Sequence, residues 1–137
     1  MNKALVITIL SFFIVLPLSA QNYRNDTNSA SAFVPISRYI LDGNSSHLSS
    51  WFADNLEVSI MGKTNECSKV QARQIMKTFF ANYTPKKFEI THVGGKPPIS
   101  YAVGTLHAGG AKFRVTIRLR TKEGEGSYIQ QLKIDKE

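Results

Sequence analysis

The chain has 137 residues, a formal net charge of +7 and a single cysteine. That length suits one domain built on one core, and a lone Cys excludes an internal disulfide framework. The cationic excess favours anionic partners over cationic ones, and His47, His92 and His107 stand too far apart in sequence to suggest metal ligation.

Residues 1–20 have the layout of a secretory signal peptide. Lys3 supplies the short basic start, residues 4–18 form an apolar run, and Leu18-Ser19-Ala20 offers small residues before polar Gln21. Cleavage there implies a secreted or periplasmic protein with no transmembrane segment left behind. It also removes only one of the seventeen basic residues. Residues 21–32, rich in Asn, Ser and Ala, have little to bury and read as a flexible lead. The remaining residues, 33–137, form the single domain.

Phe33, Ile36, Tyr39 and Ile40 recur at helical spacing, with Pro35 tolerable in a first turn and Gly43-Asn44 as a stop. Ser45 or Ser46 then caps a second short helix through Leu48, Trp51 and Phe52, ending near Asn55. Leu56, Val58 and Ile60 alternate with polar neighbours over 56–61, which predicts a short strand. Ser68 and Gln71 form a capping box that opens a long helix to about Tyr83, where Thr84-Pro85 stops it. Its apolar face carries Ala72, Ile75, Met76, Phe79, Phe80 and Tyr83.

Strands and turns occupy the rest. Residues 88–93 form one strand, broken by Gly94-Gly95-Lys96-Pro97-Pro98, and residues 99–107 form the next. Residues 112–120 alternate without a break: Phe113, Val115, Ile117 and Leu119 on one face, Lys112, Arg114, Thr116, Arg118 and Arg120 on the other. A two-residue turn at Gly109-Gly110 pairs Ala108 with Ala111, which sets Tyr101 beside Arg118, able to stack on it, and Thr105 beside Arg114. A last strand over 128–135 keeps Leu132 and Ile134 on the apolar face only if its register sum with the preceding strand is odd. One such register puts Asp135 opposite Arg114. Small residues at Ser100, Ala102 and Gly104 would let the sheet bend around Phe79 and Phe80.

The order is helix, helix, strand, long helix and a four-strand antiparallel meander, an α+β roll. It resembles the nuclear transport factor 2-like (cystatin-like) fold, in which a curved sheet wraps a long helix as a cone. More closely, the chain is similar to an uncharacterised family of short exported bacterial proteins with that fold. Phe33-Val34-Pro35-Ile36-Ser37, residues 51–57, Cys67-Ser68-Lys69, residues 101–106 and residues 128–134 carry the likeness. It spans about residues 30–137 and implies a fold without an activity.

Some proteins of the broader fold are isomerases or dehydratases, which the resemblance would extend to a pocket between long helix and sheet. Candidates to line one are Tyr39, Trp51, Phe79, Phe80 and His92. His92, sharing parity with Phe88 and Ile90, is the one titratable side chain expected to point inward from the sheet. It has no partner in sequence, and a lone His on an apolar face is ordinarily structural. Asp54 and Glu57 could approach such a pocket but suit solvation. Cys67, just before the helix cap, is either a thiolate favoured by the helix dipole or a small buried hydrophobe.

No catalytic set, metal site, cofactor motif or nucleic-acid-binding pattern emerges. The favoured role is a non-catalytic binding or dimerising module that uses the outer sheet face. Tyr101, Lys112, Arg114, Arg118 and Arg120 would form that interface, toward a second copy or an anionic surface or ligand. A small-molecule carrier or isomerase-like enzyme is the alternative.

Overall fold

The computed structural model describes residues 31–137. The expected signal peptide, residues 1–20, and all of the expected lead but Ser31 and Ala32 lie outside the described residues. Helix α1 runs through residues 31–42 and so takes in Ser31 and Ala32, which the sequence placed in the lead. Ala32, Phe33, Ile36 and Ile40 are its buried stripe. Gly43, at φ +65°, and Asn44 donate their backbone N–H groups to the carbonyls of Ile40 and Tyr39, which closes the helix with a left-handed residue.

Helix α2 is only Ser45–Ser49. Its cap is Asn44 rather than Ser45 or Ser46, with Asn44 Oδ1 accepting from the His47 N–H at 3.0 Å. Nor does the helix continue to Asn55. The Ile129 N–H reaches the Trp51 carbonyl at 2.6 Å, and Phe52 pairs with Ile129 as the start of strand β1, Phe52–Ile60. Pairing with a distant strand outweighs the local helical spacing of Leu48, Trp51 and Phe52.

Strand β2, Lys63–Ser68, follows across the two-residue turn Met61-Gly62, both at positive φ (+49° and +85°). It has no counterpart in the sequence reading, because Lys63-Thr64-Asn65-Glu66 carries no apolar alternation. Polar residues suit its place on the sheet edge. The long helix α3, Lys69–Asn82, has the expected box: Ser68 Oγ accepts from the Gln71 N–H, and Gln71 Oε1 accepts from the Ser68 N–H.

Strands β3 (Pro85–Lys96), β4 (Ile99–Ala108), β5 (Ala111–Lys122) and β6 (Gly126–Lys136) complete one curved six-strand sheet in the order β2-β1-β6-β5-β4-β3. Only β1 and β6 run parallel. β3 is longer than expected, because Gly94, Gly95 and Lys96 stay paired with β4 and only Pro97-Pro98 turn. The β4–β5 register is the expected one along its whole length, from Ile99 opposite Arg120 to Ala108 opposite Ala111. The β5–β6 register sum is odd, as expected, from Phe113 to Arg118, with Ile117 opposite Leu132 and Val115 opposite Ile134, but it becomes even from Leu119 onward.

The sheet's register shifts at several places among the described residues, and two of the shifts decide which side chains enter the core. On β6 the register shifts between Arg118 and Leu119, so Gln130 is skipped and Ile129 lies opposite Leu119, fully buried. On β3 it shifts between Ile90 and His92, which skips Thr91 and turns His92 to the outer face. Each bulge absorbs a second consecutive polar residue that strict alternation would have sent into the core.

The core lies between the concave sheet face and the helices. Phe33, Phe52, Phe113, Met76, Leu106, Ile117 and Leu132 are among its fully buried side chains. Phe79 packs against Phe80, Tyr83 and Phe113 with ring centroids 5.2–5.9 Å apart. The small residue at Gly104 makes room for the neighbouring strand rather than the helix: a Cβ there would stand 2.7 Å from the Phe88 ring.

Candidate functional site

Strand β5 supplies the cations of the outer face. Its alternation buries Phe113, Val115, Ile117 and Leu119 and leaves Lys112, Arg114, Arg118 and Arg120 exposed on the other side. Ile99, Tyr101 and Val103 of β4 lie beside Arg120, Arg118 and Thr116 and are half-buried.

The four cations are not equally compensated. Glu137 meets Lys112 at 3.6 Å and Arg114 at 3.9 Å. Asp135 does stand opposite Arg114, yet its ion pair is with Lys133 at 3.7 Å. Among the described residues no carboxylate comes within ion-pair distance of Arg118 or Arg120. Their β6 neighbours are Gln131 and Tyr128, and Gln131 donates its side-chain amide to Glu57 Oε2.

Tyr101 leans toward β3. Its hydroxyl oxygen lies 3.3 Å from His92 Nε2, and a Cβ at Gly94 would stand 2.7 Å from that same oxygen. The ring therefore covers the glycine and meets the imidazole with centroids 5.6 Å apart, instead of stacking on Arg118 as the sequence suggested.

The five residues expected to line one pocket are not brought together. Phe80 is buried, Tyr39 stacks on His47 with centroids 5.3 Å apart, Trp51 lies near Thr121 and Ser127, and His92 is outside. Only Phe79 borders a groove between long helix and sheet. That groove, about 480 Å³, lies between α3 and the β1–β2 turn. Gln71, Gln74, Ile75, Thr78, Phe79 and Asn82 line it from the helix, a stripe at three- and four-residue steps beside the core stripe. Ile60, Met61, Lys63 and Asn65 face them. Asp54, exposed, borders instead a polar cleft with Lys69, Arg120, Lys122 and Glu125.

Cys67 is buried at the end of β2, its Sγ 3.7 Å from the Leu56 carbonyl oxygen. Burial pushes its thiol pKa up, and the Glu66 carboxylate adds to the rise. Of the two readings of Cys67, the thiolate is thereby disfavoured and the small buried side chain is the one observed. Among the described residues no group of three or more His, Cys, Asp or Glu is placed to hold a metal ion, and no helix is long and apolar enough to cross a membrane.

Residues 33–135 match a family described as a domain of unknown function, DUF4783. The chain belongs to the DUF4783 family. Among solved structures, a DUF4783 protein from Bacteroides uniformis superposes with a TM-score of 0.71 at 26% identity, covering 75% of this chain and 94% of that one. Another, from Bacteroides ovatus, gives 0.72 at 27% identity, covering 76% and 94%. A nuclear transport factor 2-like protein of unknown function from Silicibacter pomeroyi gives 0.63 at 13% identity, covering 85% and 98%. This DUF4783 chain therefore has the nuclear transport factor 2-like fold, as its order of elements suggested. No curated protein matches it.

Proposed function

We propose that this DUF4783 domain is a non-catalytic binding module whose outer sheet face receives an anionic partner. The observation that carries the reading is Arg118 and Arg120, exposed on β5 and with no carboxylate within ion-pair distance among the described residues. Like charges in a row, about 7 Å apart at each two-residue step, repel one another and cost stability unless something compensates. Glu137 does so for Lys112 and Arg114. An external anion, such as an acidic glycan or lipid phosphate, would do so for the other two. Half-buried Ile99 and Tyr101 beside them add apolar area to the contact.

A homodimer through the same face is the second reading, favoured by Ile99, Tyr101 and Val103 together on one patch. Two copies face to face would bring their Arg118 and Arg120 rows together, which opposes it at low ionic strength. We expect the purified protein to sediment as a monomer at tens of micromolar and to be retained on heparin or anionic vesicles, with retention falling steeply as salt rises. A dimer under those conditions favours the second reading. Absence of salt-sensitive retention overturns the first.

A further inference from the structure

We infer that the groove between α3 and the β1–β2 turn binds a small anionic amphiphile, of which a medium-chain carboxylate is the simplest form. This site is separate from the outer face. Side chains such as Phe33, Phe52, Phe113, Ile36, Leu48 and Met76 fill the space between helices and concave sheet. The groove lies beyond that packing, on the flank of α3, and its 480 Å³ falls within the ordinary range for small-molecule sites.

The lining suggests the ligand. Ile60, Ile75 and Tyr83 pack on the core but stay partly exposed, so with Phe79 they offer an apolar floor. From Gln71 to Asn82 the helical wall is roughly 16 Å long, enough for an extended medium-length acyl chain. Asn65, Gln74 and Asn82 bring amides to the rim, and Lys63 brings the one charged group. No Asp or Glu lines the groove, and Lys63 has no ion pair among the described residues. A carboxylate at Lys63 with its chain over Ile75 and Phe79 satisfies both halves of the site. A cationic headgroup finds no partner there, and a larger protein partner would have to bring a carboxylate of its own to Lys63.

The test is titration of the purified protein with dodecanoate below its micelle concentration, read by calorimetry and by amide chemical shifts. Saturable one-to-one binding is expected, with shifts clustered at Lys63, Ile75 and Thr78. Lys63→Met should weaken it by about fivefold, the scale of one exposed ion pair. Thr78→Trp, at an exposed helical position, should fill the groove and abolish binding while the circular dichroism is kept. Gln74→Trp serves as a second filling variant should the first disturb the fold. An Arg118→Glu, Arg120→Glu variant should bind dodecanoate as the parent does, which keeps this site distinct from the outer face. No saturable binding, undiminished binding by a folded groove-filling variant, or equal affinity for dodecylamine overturns the inference.

Discussion

His92 and Tyr101 meet on the outer face of the sheet, Nε2 to hydroxyl oxygen at 3.3 Å, because the bulge at Thr91 turns β3 over one residue before the histidine. Without that extra residue His92 would follow Phe88 and Ile90 toward the helix. Its placement removes the only titratable side chain that the sequence offered to the interior of the meander.

An exposed histidine tolerates truncation. His92→Ala should change the unfolding free energy by less than about 0.5 kcal/mol, as surface substitutions do. Urea unfolding of the variant checks this, and a loss well above 1 kcal/mol would show the imidazole to be part of the packed interior.

Phe79 occupies two roles, packing on Phe80, Tyr83 and Phe113 while one edge borders the groove. Phe79→Ala should cost ~3 kcal/mol or more, the range for a buried aromatic. Val70→Ala, at the second residue of α3 and 62% exposed, should stay within about 0.5 kcal/mol. Comparable losses from the two in denaturant unfolding would contradict the assigned core face of α3.

Cys67 should react slowly in the native protein. Its thiol is buried and its pKa raised, so less thiolate is present at a given pH than on an exposed cysteine. Labelling at mildly alkaline pH should run at least about a hundredfold slower in the folded protein than in denaturant, since it waits on local opening. Labelling at the rate of a free thiol would restore the reactive-cysteine reading.

The parts of this fold that were legible in the sequence are those in which one local rule acted alone. The unbroken alternation of residues 112–120 and the Gly109-Gly110 turn set the β4–β5 register pair by pair. The Ser68 and Gln71 box opened α3 where expected. The misreadings arose where distant pairing or a bulge intervened. Phe52 looked helical from its neighbours, but its backbone pairs with β6, about 77 residues on.

Both bulges left a trace that strict alternation does not produce. Ile90-Thr91-His92-Val93 and Ile129-Gln130-Gln131-Leu132 each place two polar residues between two apolar ones. In a half-buried strand that pattern needs an extra residue to keep the second polar side chain out of the core. Edge strand β2 left less: only Met61-Gly62 marked its turn, since a strand with little core to cover needs no apolar alternation.

On the candidate site, the alternation of residues 112–120 put Lys112, Arg114, Arg118 and Arg120 on one face of the strand. The odd register that sets Asp135 opposite Arg114 also brings Glu137 beside Lys112, two residues past the expected end of the strand, and it is Glu137 that serves Lys112 and Arg114. The groove was legible only in part. Its helical wall could be read from the spacing of α3, but its other wall joins the expected strand over 56–61 to β2, which the sequence did not show.

The most direct measurement compares two double variants of identical net charge on heparin at a series of salt concentrations. Arg118→Glu with Arg120→Glu reverses the two uncompensated cations, while Lys112→Glu with Arg114→Glu reverses the two that Glu137 already holds. All four side chains are exposed, so both variants should keep the parent's fold and thermal midpoint to within a few degrees. If the outer face receives an anion through Arg118 and Arg120, the first variant should lose roughly tenfold more affinity than the second. Equal losses would mean that the chain's overall charge alone drives retention, and would contradict a site at that end of the row.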